Sequence, residues 1–163
     1  MSGWLWIVII MEEDEYNSTY NELASVRCAF EKALTNNHAK CYLSKHFCLA
    51  DREGYSCEDA ESSFICAKLL ETLRGKSVFV FRLKNIDGPL PHNMEIRVQV
   101  GGVMGLLRSL DSQAESQHTM PEVDNINGVI NKVIDKFGSL NNLPYSKIIQ
   151  SVEQFQGRQR RQR

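Results

Sequence analysis

The chain has 163 residues, of which 42% are hydrophobic and 24% are charged. This length and composition suit one domain that buries well over half of the surface of its unfolded chain, so folding alone requires no metal. The formal net charge is -1, and four arginines, Arg158, Arg160, Arg161 and Arg163, lie among the last six residues. Without them the chain has 15 basic against 20 acidic residues, which excludes a broadly basic nucleic-acid-binding surface and confines any such contact to the tail.

The N-terminus begins with an apolar run over residues 4–10 that is followed by an acidic run. Seven apolar residues are too few to span a bilayer, and a signal peptide would need a positive region before the run and a small-residue cleavage site after it. We therefore predict neither a membrane segment nor a targeting signal. The chain is divided into an apolar and acidic segment at 1–13, either disordered or packed as an edge strand, a single globular domain at 14–157, and a basic disordered tail at 158–163.

The first periodic pattern after the acidic run predicts an amphipathic helix over residues 14–35. At one position of this pattern, either Val26 or Arg27 fits the period. The helix would contain Cys28, and a lone helical cysteine is usually a small buried hydrophobe, so we place Cys28 outside any metal site. The apolar positions of the pattern are Tyr16, Tyr20, Leu23, Phe30 and Leu34.

Residues 36–57 lack a clean period and predict a short helix with loops, followed by a second helix that Ser56 caps and Gly75 ends. If this helix began at its cap, Cys57 and Cys66 would lie about 13 Å apart along its axis. They could not then share one metal ion. Joint ligation requires the helix to begin later, near residues 60–63.

The next two runs predict β-structure. Residues 77–83 are rich in β-branched and aromatic residues, and residues 94–100 alternate apolar and polar side chains, so the two runs are expected to pair as an antiparallel ribbon. Glu95 and Arg97 would then share a face as a surface ion pair. The glycines that follow, at 101–105, match no phosphate-binding fingerprint, which favours either a tight turn or close packing against another backbone.

Two apolar stripes at helical spacing, over 123–137 and 148–155, are separated by a break at 143–146 and predict a C-terminal helical hairpin. The expected fold class is therefore mainly α with a small antiparallel β element (α+β). It would be a single helical domain.

The cysteines carry the most specific functional signal. With no secretory signal in the chain, their clustering is more typical of a metal site, an iron–sulfur cluster or thiol chemistry than of a disulfide scaffold. The histidines His38 and His46 lie inside or beside the cluster and are alternative metal ligands. Four of the five cysteines fall within a 26-residue window, with the spacing C-x6-C-x8-C-x8-C: Cys41, Cys48, Cys57 and Cys66.

Three interpretations of this window remain open. An iron–sulfur cluster is favoured over zinc, because four thiolates are its usual ligands and it demands less of the sequence spacing. A set of unligated, reduced cysteines has the same weight as the iron–sulfur cluster. Zinc ranks below both, because no C-x2-C or C-x4-C pair is present.

The predicted function is that of a soluble, cytoplasmic protein that binds an iron–sulfur cluster, or another metal, through these cysteines and has a redox or electron-transfer role with an unidentified protein or redox partner. No residue pattern typical of a catalytic site is present, and we expect no membrane partner. The alternative is a metal-free interaction module that forms homo-oligomers and whose arginine tail contacts an acidic partner or nucleic acid.

Overall fold

The computed structural model describes residues 15, 17–22, 26–111 and 122–156. The predicted N-terminal segment at 1–13 and the arginine tail at 158–163 lie outside these ranges. Residues 17–22 are helical. The remaining regular elements, in chain order, are α1 (Glu31–Thr35), β1 (Ser44–Leu49), β2 (Arg52–Cys57), α2 (Ala60–Lys76), α3 (His92–Leu110), α4 (Ile126–Phe137), a short 3-10 helix (Leu140–Asn142) and α5 (Tyr145–Gln154).

The β element is a hairpin of adjacent strands rather than a ribbon of distant ones. β1 and β2 pair antiparallel, with Ser44 opposite Cys57 and Leu49 opposite Arg52. Ala50 makes the turn with a positive φ of 53°. The fold class, mainly α with a small antiparallel β element, is confirmed, but the two segments predicted to form that element are not strands.

Residues 94–100 belong to α3, so the predicted strand there is wrong. Their alternation did not reflect exposure, because Glu95 is buried and receives hydrogen bonds from Arg74 at 2.6 Å, Gln99 at 2.9 Å and the Leu90 N–H at 3.1 Å. Arg97, the other member of the predicted surface pair, donates instead to backbone carbonyls at the end of α5. The polar side chains of this run are thus internal partners and not a solvent face.

Residues 77–83 form consecutive turns, so this predicted strand is also wrong. The N–H of Leu83 donates to the Val78 carbonyl at 3.0 Å, and the N–H of Arg82 donates to the Phe79 carbonyl at 3.2 Å. Arg82 has a φ of 54°. These two bonds around a left-handed residue form a Schellman motif, which ends a helical turn and in which glycine is the usual residue.

The central helix α3 organises the core and lies against α1, α2, α4 and α5. A Cβ on Gly101 would lie 2.6 Å from the Cα of Val152, and one on Gly105 would lie 2.7 Å from the Ile148 carbonyl oxygen. The predicted role of these glycines in close backbone packing is therefore confirmed. The predicted C-terminal pair of helices is present as α4 and α5, and both pack on α3.

In the described ranges, no helix combines the length and the apolar character needed to cross a membrane.

Candidate functional site

Cys28 lies in a short non-helical segment, between a β-bridge at Arg27 and the turn that precedes α1. Residues 26–30 separate the helical residues 17–22 from α1, so the predicted continuous helix is wrong over this part. The Cys28 N–H donates to the Tyr55 carbonyl at 3.1 Å, and the Cys57 N–H donates to the Val26 carbonyl at 2.8 Å. The segment therefore runs along the free edge of β2, and this brings Cys28 to the end of the strand that carries Cys57.

Cys41 lies in the loop between α1 and β1, which is fixed to the start of α4. The Lys40 N–H donates to the Val123 carbonyl at 2.9 Å, and the Ile126 N–H donates to the Lys40 carbonyl at the same distance. The Asn125 side chain accepts from the Tyr42 N–H at 3.1 Å. These bonds on both sides of Cys41 fix its backbone in place.

Cys57 and Cys66 are brought together because α2 begins later than its first candidate cap. Asp59 is the N-cap and accepts from the Ser62 N–H at 3.0 Å, so the helix starts at Ala60. Cys57 is the last residue of β2, and its thiol donates to the Asp59 carbonyl at 3.2 Å. Cys57 and Cys66 therefore do not lie on one continuous helix, and the separation of about 13 Å along a helix axis does not apply to them.

Four thiols line a single cavity at the junction of these elements. The cavity is about 20 Å³ in volume, which is room for one water molecule or one ion. Its wall is completed by apolar side chains and by serines from the first turns of α2. The four cysteines are Cys28, Cys41, Cys57 and Cys66.

Burial holds three of these thiols in the protonated form. Burial, and to a smaller extent the charges that its three neighbouring cysteines would carry, raise the pKa of Cys28 to about 12 against the lowering effect of a backbone hydrogen bond at Phe30. Burial, followed by the charge of Cys41, also raises the pKa of Cys66 to about 12 and raises the pKa of Cys57.

Cys48, the remaining cysteine of the predicted set, lies elsewhere. It is exposed on β1, opposite Glu53 of β2, and is not part of the cavity wall. The predicted ligand set thus included a surface thiol and left out Cys28. The one signal for Cys28 in the sequence was the uncertain register at Val26 and Arg27, where the helical period fails.

The two candidate histidines also lie away from the cavity wall. His46 is exposed on β1, and its Nε2 lies 3.9 Å from the Glu53 carboxylate. The His38 ring packs edge-on against Phe155, with ring centroids 5.2 Å apart. Neither position gives a histidine ligand to the four clustered thiols.

All five cysteines are free thiols. Across the described ranges, no three side chains of His, Cys, Asp or Glu are already gathered closely enough to hold a metal ion. The four thiols that line the cavity are therefore neighbours, but not a preformed coordination shell.

Comparison of the chain with protein-family models, curated proteins and solved structures gives no match.

Proposed function

We propose that the protein binds a single thiophilic metal ion, with Zn²⁺ as the first candidate, through Cys28, Cys41, Cys57 and Cys66. The observation that supports this proposal is the presence of all four thiols in the wall of one cavity. Four thiolates in tetrahedral array are a common structural site for zinc. Binding requires the four sulfur atoms to move closer together than they are in the metal-free structure.

The size of the cavity favours one ion over an iron–sulfur cluster. A volume of about 20 Å³ accommodates a single ion, whereas even the smallest iron–sulfur cluster adds a second iron and bridging sulfides. The surrounding loops would have to open to admit an iron–sulfur cluster. Zinc itself has no redox chemistry, so a redox role would reside in the thiols rather than in the ion.

The positions of the ligands also suggest what the ion would do. The four cysteines come from the segment before α1, the loop after it, the end of β2 and the middle of α2. An ion held by all four would connect the hairpin to the helical body, because it would cross-link segments far apart in the chain. Metal binding of this kind adds directly to the free energy of unfolding.

The proposal is tested by titrating the reduced, metal-free protein with Co²⁺ and following the sulfur-to-cobalt charge-transfer absorption. We expect one ion per chain with the spectrum of tetrahedral thiolate ligation, and displacement of cobalt by Zn²⁺. Anaerobic reconstitution with iron and sulfide, followed by absorption spectroscopy and metal analysis, tests the iron–sulfur alternative on the same protein.

Serine substitutions separate the cavity from the surface thiol. Cys28→Ser and Cys66→Ser should each weaken cobalt binding and remove one thiolate from the spectrum, whereas Cys48→Ser, a matched control in the hairpin, should bind as the unmodified protein does. Loss of binding in Cys48→Ser but not in Cys28→Ser would overturn the ligand assignment. Absence of any thiolate–cobalt absorption in the unmodified protein would overturn the proposal itself.

A further inference from the structure

A rigid, basic and apolar tip follows the C-terminal end of α2. Phe79 is 70% exposed, and Leu83 beside it is also exposed. The turn that carries them is held by the hydrogen bonds of the Schellman motif and by Ser77, whose hydroxyl donates to the Leu73 carbonyl at 2.7 Å. We call this tip the basic patch, and its members are Lys76, Phe79, Arg82, Leu83 and Lys84.

The three cations of the basic patch are exposed, and none forms an ion pair within the described part of the chain. Phe79 is held outward while the next two residues, Val80 and Phe81, pack on the core. The backbone that carries the exposed ring is thus held in place by its neighbours. A pre-organised aromatic side chain among cations is typical of a docking surface, because little conformational entropy remains to be lost on binding.

The opposite end of α2 carries a surface of the opposite charge. Phe64 is 62% exposed in the first turns of the helix, where Glu58 and Glu61 are also exposed and Asp59 is partly exposed. None of these carboxylates forms an ion pair within the described residues, and the one cation close to the Phe64 ring is Lys68, at 5.1 Å. We call this surface the acidic patch: Glu58, Asp59, Glu61 and Phe64.

The two patches are matched in chemistry but cannot meet within one molecule. α2 has 17 residues, so its ends lie about 25 Å apart on a rigid rod. Each patch combines an exposed phenylalanine with unpaired charge, positive at one end and negative at the other. The basic patch can therefore contact an acidic patch of this kind only on a second copy of the chain.

We propose that the basic patch of one copy docks on the acidic patch of a second copy, so that the chain associates head to tail. The contact is heterologous, because different surfaces meet, and it leaves a free patch at each end. Each patch has one large exposed ring, so the buried area is small and the association is weak and sensitive to salt. This inference does not depend on metal binding by the cysteines.

The test measures the molar mass of the full chain by light scattering over about a hundredfold range of concentration. A metal chelator and a reductant are present throughout, so that neither a bridging ion nor a disulfide through Cys48 contributes. We expect the mass to rise with concentration at low salt and to return to that of the monomer at about 0.5 M salt, where screening is strong.

Charge reversal then identifies the surfaces. The pair Arg82→Glu with Lys84→Glu, and separately the pair Glu58→Lys with Glu61→Lys, should each raise the dissociation constant at least about tenfold, because like charges then face each other. An equimolar mixture of the two variants should associate again, since the intact acidic patch of one faces the intact basic patch of the other.

Two further substitutions test the exposed ring of the basic patch and a charge outside both patches. Phe79→Ala should weaken association, while Lys132→Glu, which reverses an exposed charge on α4, should leave it unchanged. Thermal unfolding of every variant confirms that the fold is retained. A monomer at all concentrations, an association that neither reversal weakens, or a mixture that stays monomeric would each overturn the proposal. So would binding of a monomeric protein to anionic vesicles through the basic patch, because the occupant would then be a membrane surface.

Discussion

Ion binding at the cysteine cluster should depend steeply on pH. Three of its thiols, Cys28, Cys57 and Cys66, have raised pKa values and are protonated at neutral pH. A metal ion binds the thiolate, so each of these groups must release its proton. The logarithm of the apparent association constant should therefore rise by about three or more for each pH unit between about pH 6.5 and 8.5.

The magnitude follows from the two most strongly shifted thiols. The pKa of Cys28 and that of Cys66 rise from 9.0 to about 12, and three pKa units correspond to about 4 kcal/mol of additional deprotonation free energy for each thiol. Structural zinc sites bind with an apparent free energy of roughly 10–16 kcal/mol at pH 7. Subtracting about 8 kcal/mol for both thiols leaves roughly 2–8 kcal/mol, so the dissociation constant at pH 7 should be about 1 μM or larger.

The assay is competition between the reduced protein and a chromophoric chelator for Zn²⁺ at several pH values, with calorimetry in two buffers to count released protons. Cys28→Ser should release about one proton fewer, because one titrating ligand is lost, whereas Cys48→Ser should not change the count. A release of one proton or none at pH 7 would refute the reasoning, since the ion would then be bound outside the buried thiols.

The remaining predictions concern the helical body. Arg74→Ala should lower the free energy of unfolding, measured in urea, by about 3–5 kcal/mol, because it leaves the buried Glu95 carboxylate without its cation. The surface control Lys68→Ala should change it by less than about 0.5 kcal/mol. Burial alone would raise the pKa of Glu95, but hydrogen bonds and the charge of Arg74 outweigh it and lower the pKa below its usual value. The carboxylate therefore stabilises the fold above its unfolded-state pKa and loses this effect as the pH falls through its folded-state pKa, so Glu95→Gln should flatten the acid limb of an unfolding profile followed by circular dichroism. Gly105→Leu should lower the free energy of unfolding by about 1–3 kcal/mol, because a Cβ there would lie 2.7 Å from the α5 backbone. Gly75→Ala should raise it by about 0.5–1 kcal/mol, because the new methyl group would have no neighbouring atom within 4 Å. A similar effect of both substitutions would contradict the packing argument.

The sequence placed three of the four thiols that line the cavity, Cys41, Cys57 and Cys66, in one candidate site. It replaced the fourth, Cys28, with Cys48, because local periodicity extended a helix through residues 26–30. The segment is not helical because its backbone hydrogen-bonds to β2, and this pairing joins residues about thirty positions apart. The periodicity of a short stretch of sequence contains no information about a pairing partner so distant in the chain.

Composition and period by themselves determined the mainly helical class and the two C-terminal helices. These properties depend on apolar stripes, which can be recognised within a local stretch of sequence. The contact of the α3 glycines with the α5 backbone depends on the tertiary structure. Tertiary structure alone decided that the alternating run around Glu95 is helical, since its polar residues have buried partners on other elements. It also decided which thiols are neighbours, because the sites of a fold are assembled from segments whose proximity is a consequence of packing.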